Sequence, residues 1–161
     1  MYTKIIDKMM EVNQNDPRRI NHALKVFALA LLISENEILD EFKKECAVVT
    51  SILHDIGIQA AEEKYHSNAG KYQEIEGPLI ARRILESLGY DELLIARVCF
   101  LIAKHHTYSA DFGIDHQVLI EADLIVNLDE EDTPAKTFVK TKDKLFKTIT
   151  GKQMLDRMLK K

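Results

Sequence analysis

The chain has 161 residues, the size of one domain, and its 46% hydrophobic and 30% charged residues allow a real core, which excludes a disordered segment and a disulfide-built scaffold. A net charge of −4 and a pI near 5.9 exclude a nucleic-acid duplex or a polybasic membrane contact as the natural partner. A small anion stays open as a ligand, because a bound dication reverses the local field of an acidic protein.

Taken in chain order, the elements read as helices. Residues 2–12 form a short amphipathic opener, and the start MYTKIIDKMMEVNQND has no apolar core of signal-peptide length. Asp16-Pro17 reads as an N-cap with proline at the first helical position, and Ile20, Leu24, Phe27, Leu31 and Leu32 follow at helical spacing. The longest wholly apolar run, Val26 to Ile33, is far short of the ~20 residues that span a bilayer. A third helix covers 40–56, turns Phe42, Cys46, Val49, Leu53 and Ile56 inward, and closes at Gly57. Residues 57–72 lack periodicity and hold Ser67, Asn68 and Gly70. They read as a long loop, a feature compact domains keep for function.

Helix four (74–88) stops at Gly89, and helix five (91–105) is strongly apolar through Leu93–Ile102. A turn at Gly113 leads to helix six (116–128), and the tail after Pro134 reads as one or two helices with a break near Gly151. Cys46 and Cys99 sit far apart beside apolar residues, as buried thiols of a reducing cytoplasm do. No stretch alternates as a strand does. The expectation is an all-α, single-domain, cytoplasmic helical bundle of about six to eight helices, with no membrane partner.

The chemistry concentrates in a few polar side chains at apolar positions. Divalent metals take imidazole nitrogens and carboxylate oxygens that converge from a rigid scaffold. His22 lies mid-helix among Ala23, Leu24 and Val26, His54-Asp55 closes helix three, and Asp123 interrupts the apolar IEADLIVNL. Burying such a carboxylate unpaired costs several kcal/mol, so it needs a cation, a metal or dense hydrogen bonding. Singly, His22 reads as a core histidine and Asp123 as a partner for an arginine or a cap. Together, and all turned inward by helical periodicity, they read as a ligand set. Adjacent side chains diverge by about 100°, so His54 and Asp55 reach one ion only where a helix end lets the backbone bend.

His22, then His54-Asp55 in ILHDIG, then Asp123 in IEADLIVNL resembles the signature of the HD superfamily of metal-dependent phosphohydrolases. Arg19, three residues before His22, EGPLIARRIL and IAKHHT resemble that family's further motifs, and the likeness covers about residues 16 to 129, with 130–161 as a helical extension. The resemblance implies a helical HD bundle, with His22, His54, Asp55 and Asp123 holding a divalent ion (Mn, Fe, Co, Ni, Zn or Mg). It also implies hydrolysis of a nucleotide or another small phosphorylated metabolite.

In that reading Asp55 assists the attacking water and Glu76 orients it, while Arg19, His105 and His106 bind substrate. His105 and His106 leave room for a second, weaker metal site. The 57–72 stretch, with Lys64 and Lys71, covers the site. Two departures from the family pattern bear on this. Gln73 stands where many dinuclear members carry a histidine, which favours one metal. Ile58 stands where cyclic-dinucleotide enzymes carry a lysine, which lowers that substrate class. The alternatives are a non-catalytic metal- and nucleotide-binding sensor and an HD-type di-iron oxygenase.

Overall fold

The computed structural model describes residues 2–131 and 133–158 and builds them into nine helices without a strand. In chain order these are α1 (Thr3–Val12), α2 (Pro17–Asn36), α3 (Glu41–Leu53), α4 (Ile58–Tyr65), α5 (Gly70–Ser87), α6 (Glu92–Ile102), α7 (Ile114–Glu130), α8 (Ala135–Leu145) and α9 (Ile149–Met158). Three starts follow from local chemistry. The carboxylates of Asp16, Asp40 and Asp91 accept from the backbone N–H of Arg19, Lys43 and Leu94, satisfying donors that a first helical turn leaves free.

Helix α3 is the axis of the molecule. Every residue from Cys46 to Leu53 is buried, because α2, α6 and α7 pack around it and leave no solvent face. Helix α7 is nearly as enclosed. One apolar cluster joins α1, α3, α5 and α6 through Ile5, Met9, Val49, Leu53, Leu85 and Leu101. A second joins α2, α7 and the tail through Val26, Ile33, Val118, Ile125, Phe146 and Leu155. No helix among the described residues is long and apolar enough to cross a membrane. Both cysteines are free thiols, but Cys99 is only partly buried, its Sγ donating to the Pro78 carbonyl at 3.3 Å.

Three expectations are corrected. Nine helices exceed the range expected, and the extra one, α4, lies where a long loop was read. Its sequence IQAAEEKY buries only Ala61, so it carries almost no apolar stripe to announce itself. The C-terminal break falls at 146–148, before Gly151, which is inside α9. The fully buried Glu121 explains the position: its Oε1 accepts from Lys147 N at 2.6 Å, Thr148 N at 2.9 Å and Gln117 Nε2 at 2.7 Å, and its Oε2 from the Thr148 hydroxyl. A Cβ on Gly151 would lie 1.9 Å from Glu121 Oε2, so this glycine serves the approach of a carboxylate and does not end a helix.

Gly57 has a comparable task where the start of α4 meets α5. A Cβ there would sit 2.6 Å from the backbone nitrogen of Gly77 and 2.7 Å from the carbonyl oxygen of Gln73, both rigid main-chain atoms. At Gly77 the nearest obstacle is instead the Ile102 Cγ2 methyl at 2.8 Å, which can rotate. We expect Gly57→Ala to lower unfolding stability by about 1–3 kcal/mol, the range for overpacking, and Gly77→Ala to cost less. Urea denaturation of both variants checks this; an unchanged Gly57→Ala midpoint would contradict so close a crossing.

Candidate metal centre

Helices α2, α3 and α7 each deliver part of one polar cluster into the interior. His22 comes from the second turn of α2 and Asp123 from the middle of α7. His54 is the C-cap of α3, after which the chain tightens into a turn in which Ile56 N bonds Leu53 O at 3.1 Å and Ile58 N bonds Asp55 O at 3.1 Å. That turn supplies the bend at the helix end that two adjacent residues need to face one point.

The structure brings all four side chains together. His22 Nε2 lies 3.3 Å from His54 Nε2, 3.2 Å from Asp123 Oδ1 and 3.6 Å from Asp55 Oδ2. His54 Nε2 lies 3.4 Å from Asp55 Oδ2 and 3.5 Å from Asp123 Oδ1. Two donors bonded to one ion at ~2.1 Å stand ~3.0–3.4 Å apart at octahedral to tetrahedral angles, so this spacing fits a metal-sized gap.

The opposite ring nitrogens settle which atoms face the gap. His22 Nδ1 pairs with Glu130 Oε2 at 2.9 Å and His54 Nδ1 with the Ser51 carbonyl at 2.9 Å. His105 Nδ1 pairs with the Ile102 carbonyl at 2.7 Å. With Nδ1 so engaged, each Nε2 is the nitrogen left to offer a lone pair to an ion. Such outward bonds fix tautomer and orientation in metal-binding histidines. The His105 Nε2 is buried without a hydrogen-bond partner and faces Asp55 Oδ1 at 3.5 Å. An orphaned acceptor, and two imidazole nitrogens 3.3 Å apart that cannot both be lone pairs without a cation between them, are what a divalent ion would resolve.

The electrostatics agree. Burial is the largest influence on His54 and works against its charge, but Asp55 and then Asp123 outweigh it and hold its pKa at about 9. Burial likewise opposes ionisation of Asp55 and Asp123. The charge of His54 and the nearby His105 imidazole bring Asp55 down to about 2, and hydrogen bonds from His22 and His54 hold Asp123 well below the usual carboxylate range. Without an ion, protons on the imidazoles supply the countercharge that a dication would replace.

The other expected residues divide. His105 joins the cluster, while His106 is more exposed, its Nδ1 3.7 Å from Glu74 Oε1 and its backbone N–H donating to the same oxygen at 3.2 Å. Glu74, His105 and His106 make a second group whose spacing could hold an ion. Glu76 does not face the histidines: its Oε1 accepts from Lys64 and from the Tyr65 hydroxyl, both at 2.8 Å, a tie between α4 and α5. Lys64 is therefore engaged with Glu76, and Lys71 lies over the Tyr72 ring at 4.7 Å; of the 57–72 stretch expected to cover the site, it is Ile58 and Asn68 that line the cavity. Arg19 is near the cluster but bound to Glu62 at 2.7 Å and Asp16 at 3.2 Å.

Sequence reasoning missed Glu130, Asn127 and Glu74. Asn127 Nδ2 donates to Asp123 Oδ1 at 2.9 Å, and Glu130 is held by Lys25 at 2.9 Å while it orients His22. Both lie one and two turns beyond Asp123 on one face of α7, and that spacing was the available signal. Nothing local marks Glu74. A cavity of about 300 Å³ opens beside the cluster, lined by His22 and Asp55 together with Arg18, Asn68, Asn127 and Glu130.

The proton arrangement gives a prediction. His54, raised to about 9, is protonated at neutral pH in the metal-free protein and must lose that proton to become a ligand. Metal uptake near pH 7 should therefore release protons, and affinity should rise with pH up to about 9 and fall below neutrality. Calorimetric titration in buffers of different ionisation enthalpy measures the release; none at pH 7 would contradict the protonated cluster.

The HD domain family matches residues 19–145. No curated relative matches the chain. A solved structure from an uncultured Thermotogales bacterium, described as a predicted HD superfamily hydrolase, superposes with a TM-score of 0.69 at 21% identity. The match covers 96% of this chain and 82% of that one, and establishes likeness of fold. With the family matching most of its length and the bundle intact, the chain belongs to the HD domain family.

Proposed function

We propose that this chain is a divalent-metal-dependent phosphohydrolase acting on a small, hydrophilic phosphate ester, a nucleotide or a comparable metabolite. The observation that carries the reading is the meeting of the cavity with the His–Asp cluster: His22 and Asp55 belong to both. His22, His54, Asp55 and Asp123 would hold the ion. The chemistry a divalent ion supplies when so held is activation of water and neutralisation of charge developing on a phosphoryl group.

The chain's own groups account for the rest. Asp55 is the ligand whose side chain keeps 26% exposure, so it is the carboxylate that an incoming water can reach. Its low pKa keeps it ionised, and its two oxygens face different partners, Oδ2 toward His22 and His54 and Oδ1 toward His105. It orients the attacking water, and His105 Nε2, free of any other bond, is the atom that takes up the water's proton. Asn68 and Asn127 offer amides to hydroxyls of the substrate, while the lining contains a single aliphatic side chain, Ile58. Substrate selection thus rests on hydrogen bonds more than on apolar burial. Glu76, tied to Lys64 and Tyr65, serves the scaffold in this scheme.

The test is phosphate release from a panel of nucleotides and phosphate esters with added Mn, Fe, Co, Ni, Zn or Mg, with metal content measured on each sample. His54→Ala and Asp123→Ala should lose both metal and turnover. His105→Gln should keep the ion and lose turnover by about 10²–10³-fold, as expected for a group acting in the transition state. A metal-loaded parent that binds nucleotides yet releases no phosphate from any ester would put a sensor in the place of the enzyme. An Asp123→Ala protein lacking metal and turning over at the parental rate would sink metal-assisted hydrolysis.

A further inference from the structure

Two adjacent arginines border the cavity, and the structure treats them differently. Arg19 donates from Nη2 to both Glu62 oxygens, at 2.7 and 2.8 Å, and its Nε lies 3.2 Å from Asp16 Oδ2, so two carboxylates already balance its charge. Arg18 is exposed and makes no hydrogen bond or ion pair among the described residues. It is also electrostatically misplaced. It stands in the first turn of α2, immediately after Pro17, where the helix macrodipole is positive and a cation is disfavoured. No contact among the described residues offsets that cost.

Its position relative to the cluster is the compensating fact. Arg18 and His22 are four residues apart on α2, one turn, which puts their Cβ atoms ~5–6 Å from each other on one face. The rest of the cavity's charge is mostly negative, from Asp16, Asp55 and Glu130, with Arg19 compensated. Among the described residues that line this space, an entering anion meets one uncompensated side-chain cation besides whatever the His–Asp cluster holds.

We infer that Arg18, not Arg19, is the side chain that binds the anionic phosphoryl group of the substrate, and that Arg19 is a structural residue joining the start of α2 to α4. The assignment rests on the phosphoester reading above for its substrate but on the ion-pair pattern for its choice of residue. It reverses the expectation drawn from the resemblance, which pointed to the arginine three residues before His22.

The experiment compares Arg18→Gln, Arg18→Lys and Arg19→Gln in manganese-loaded protein, with inorganic phosphate as the probe in calorimetry and KM and kcat on the best ester of the panel. Metal content and Tm are recorded for each. Arg18→Gln should weaken phosphate binding by about 10- to 100-fold, the range of a charge-assisted contact, with metal content and Tm kept and KM affected more than kcat. Arg18→Lys should recover part of the loss. Arg19→Gln should lower Tm, by stranding Glu62, and change phosphate affinity less than Arg18→Gln does. Parental phosphate affinity in Arg18→Gln overturns the assignment, as does an equal or larger loss in Arg19→Gln, or a loaded parent that binds no phosphate. A parent that binds phosphate through Arg18 and hydrolyses no ester separates the two readings: hydrolysis fails and the assignment stands.

Discussion

The interaction on which the rest depends is the burial of the Asp123 carboxylate in the middle of α7. A charge so placed is tolerated only with compensation nearby, and here the compensation is an arrangement of three helices. α2 brings His22, the end of α3 brings His54, and Asn127 supplies an amide from the next turn of α7 itself. Those same helices pack directly on one another, so the apolar contacts that stabilise the bundle and the polar contacts that balance Asp123 share one geometry. Folding and site assembly are therefore a single event, and a variant that disturbs one is expected to disturb the other.

Around this centre the outward-facing atoms carry as much of the design as the inward ones. Glu130 holds His22 by one nitrogen so that the other faces in, and Lys25 holds Glu130 from the solvent side. Ser51 and Ile102 do the same for His54 and His105 with main-chain carbonyls, acceptors that no substitution of those side chains removes. His22 is oriented by a titratable side chain at the surface, the other two by backbone. Of the three imidazoles, His22 is the one whose orientation depends on a group that a single mutation can delete.

Much of the bundle was legible because its signals are local. Asp16-Pro17, Asp40 and Asp91 begin helices by bonds that reach only three residues. The apolar faces were read less well: Leu32 and Phe42, expected inward, are exposed, and α3 is buried all round from Cys46 to Leu53 because three helices enclose it. The four polar residues at inward positions were legible even so, since periodicity alone says that His22 and Asp123 face the core. What escaped depends on distant partners. α4 has one buried residue and is held by Lys64 and Tyr65 reaching Glu76 on another helix. Which of Arg18 and Arg19 is neutralised depends on Glu62, 43 positions away. Gly151 looks like a helix stop until Glu121 is known to lie against it.

The Glu121 attachment bears on where this domain ends. The family match stops at residue 145, just before the two backbone N–H groups that Glu121 accepts, those of Lys147 and Thr148. A protein shortened to the matched region would keep every residue of the His–Asp cluster and still be damaged. It would leave the Glu121 carboxyl group facing an emptied groove, two positions from Asp123 on the same helix, and uncover Val118, Ala122 and Ile125 from the cluster they share with Met154 and Leu155. The packed unit thus extends past the stretch that sequence comparison outlines.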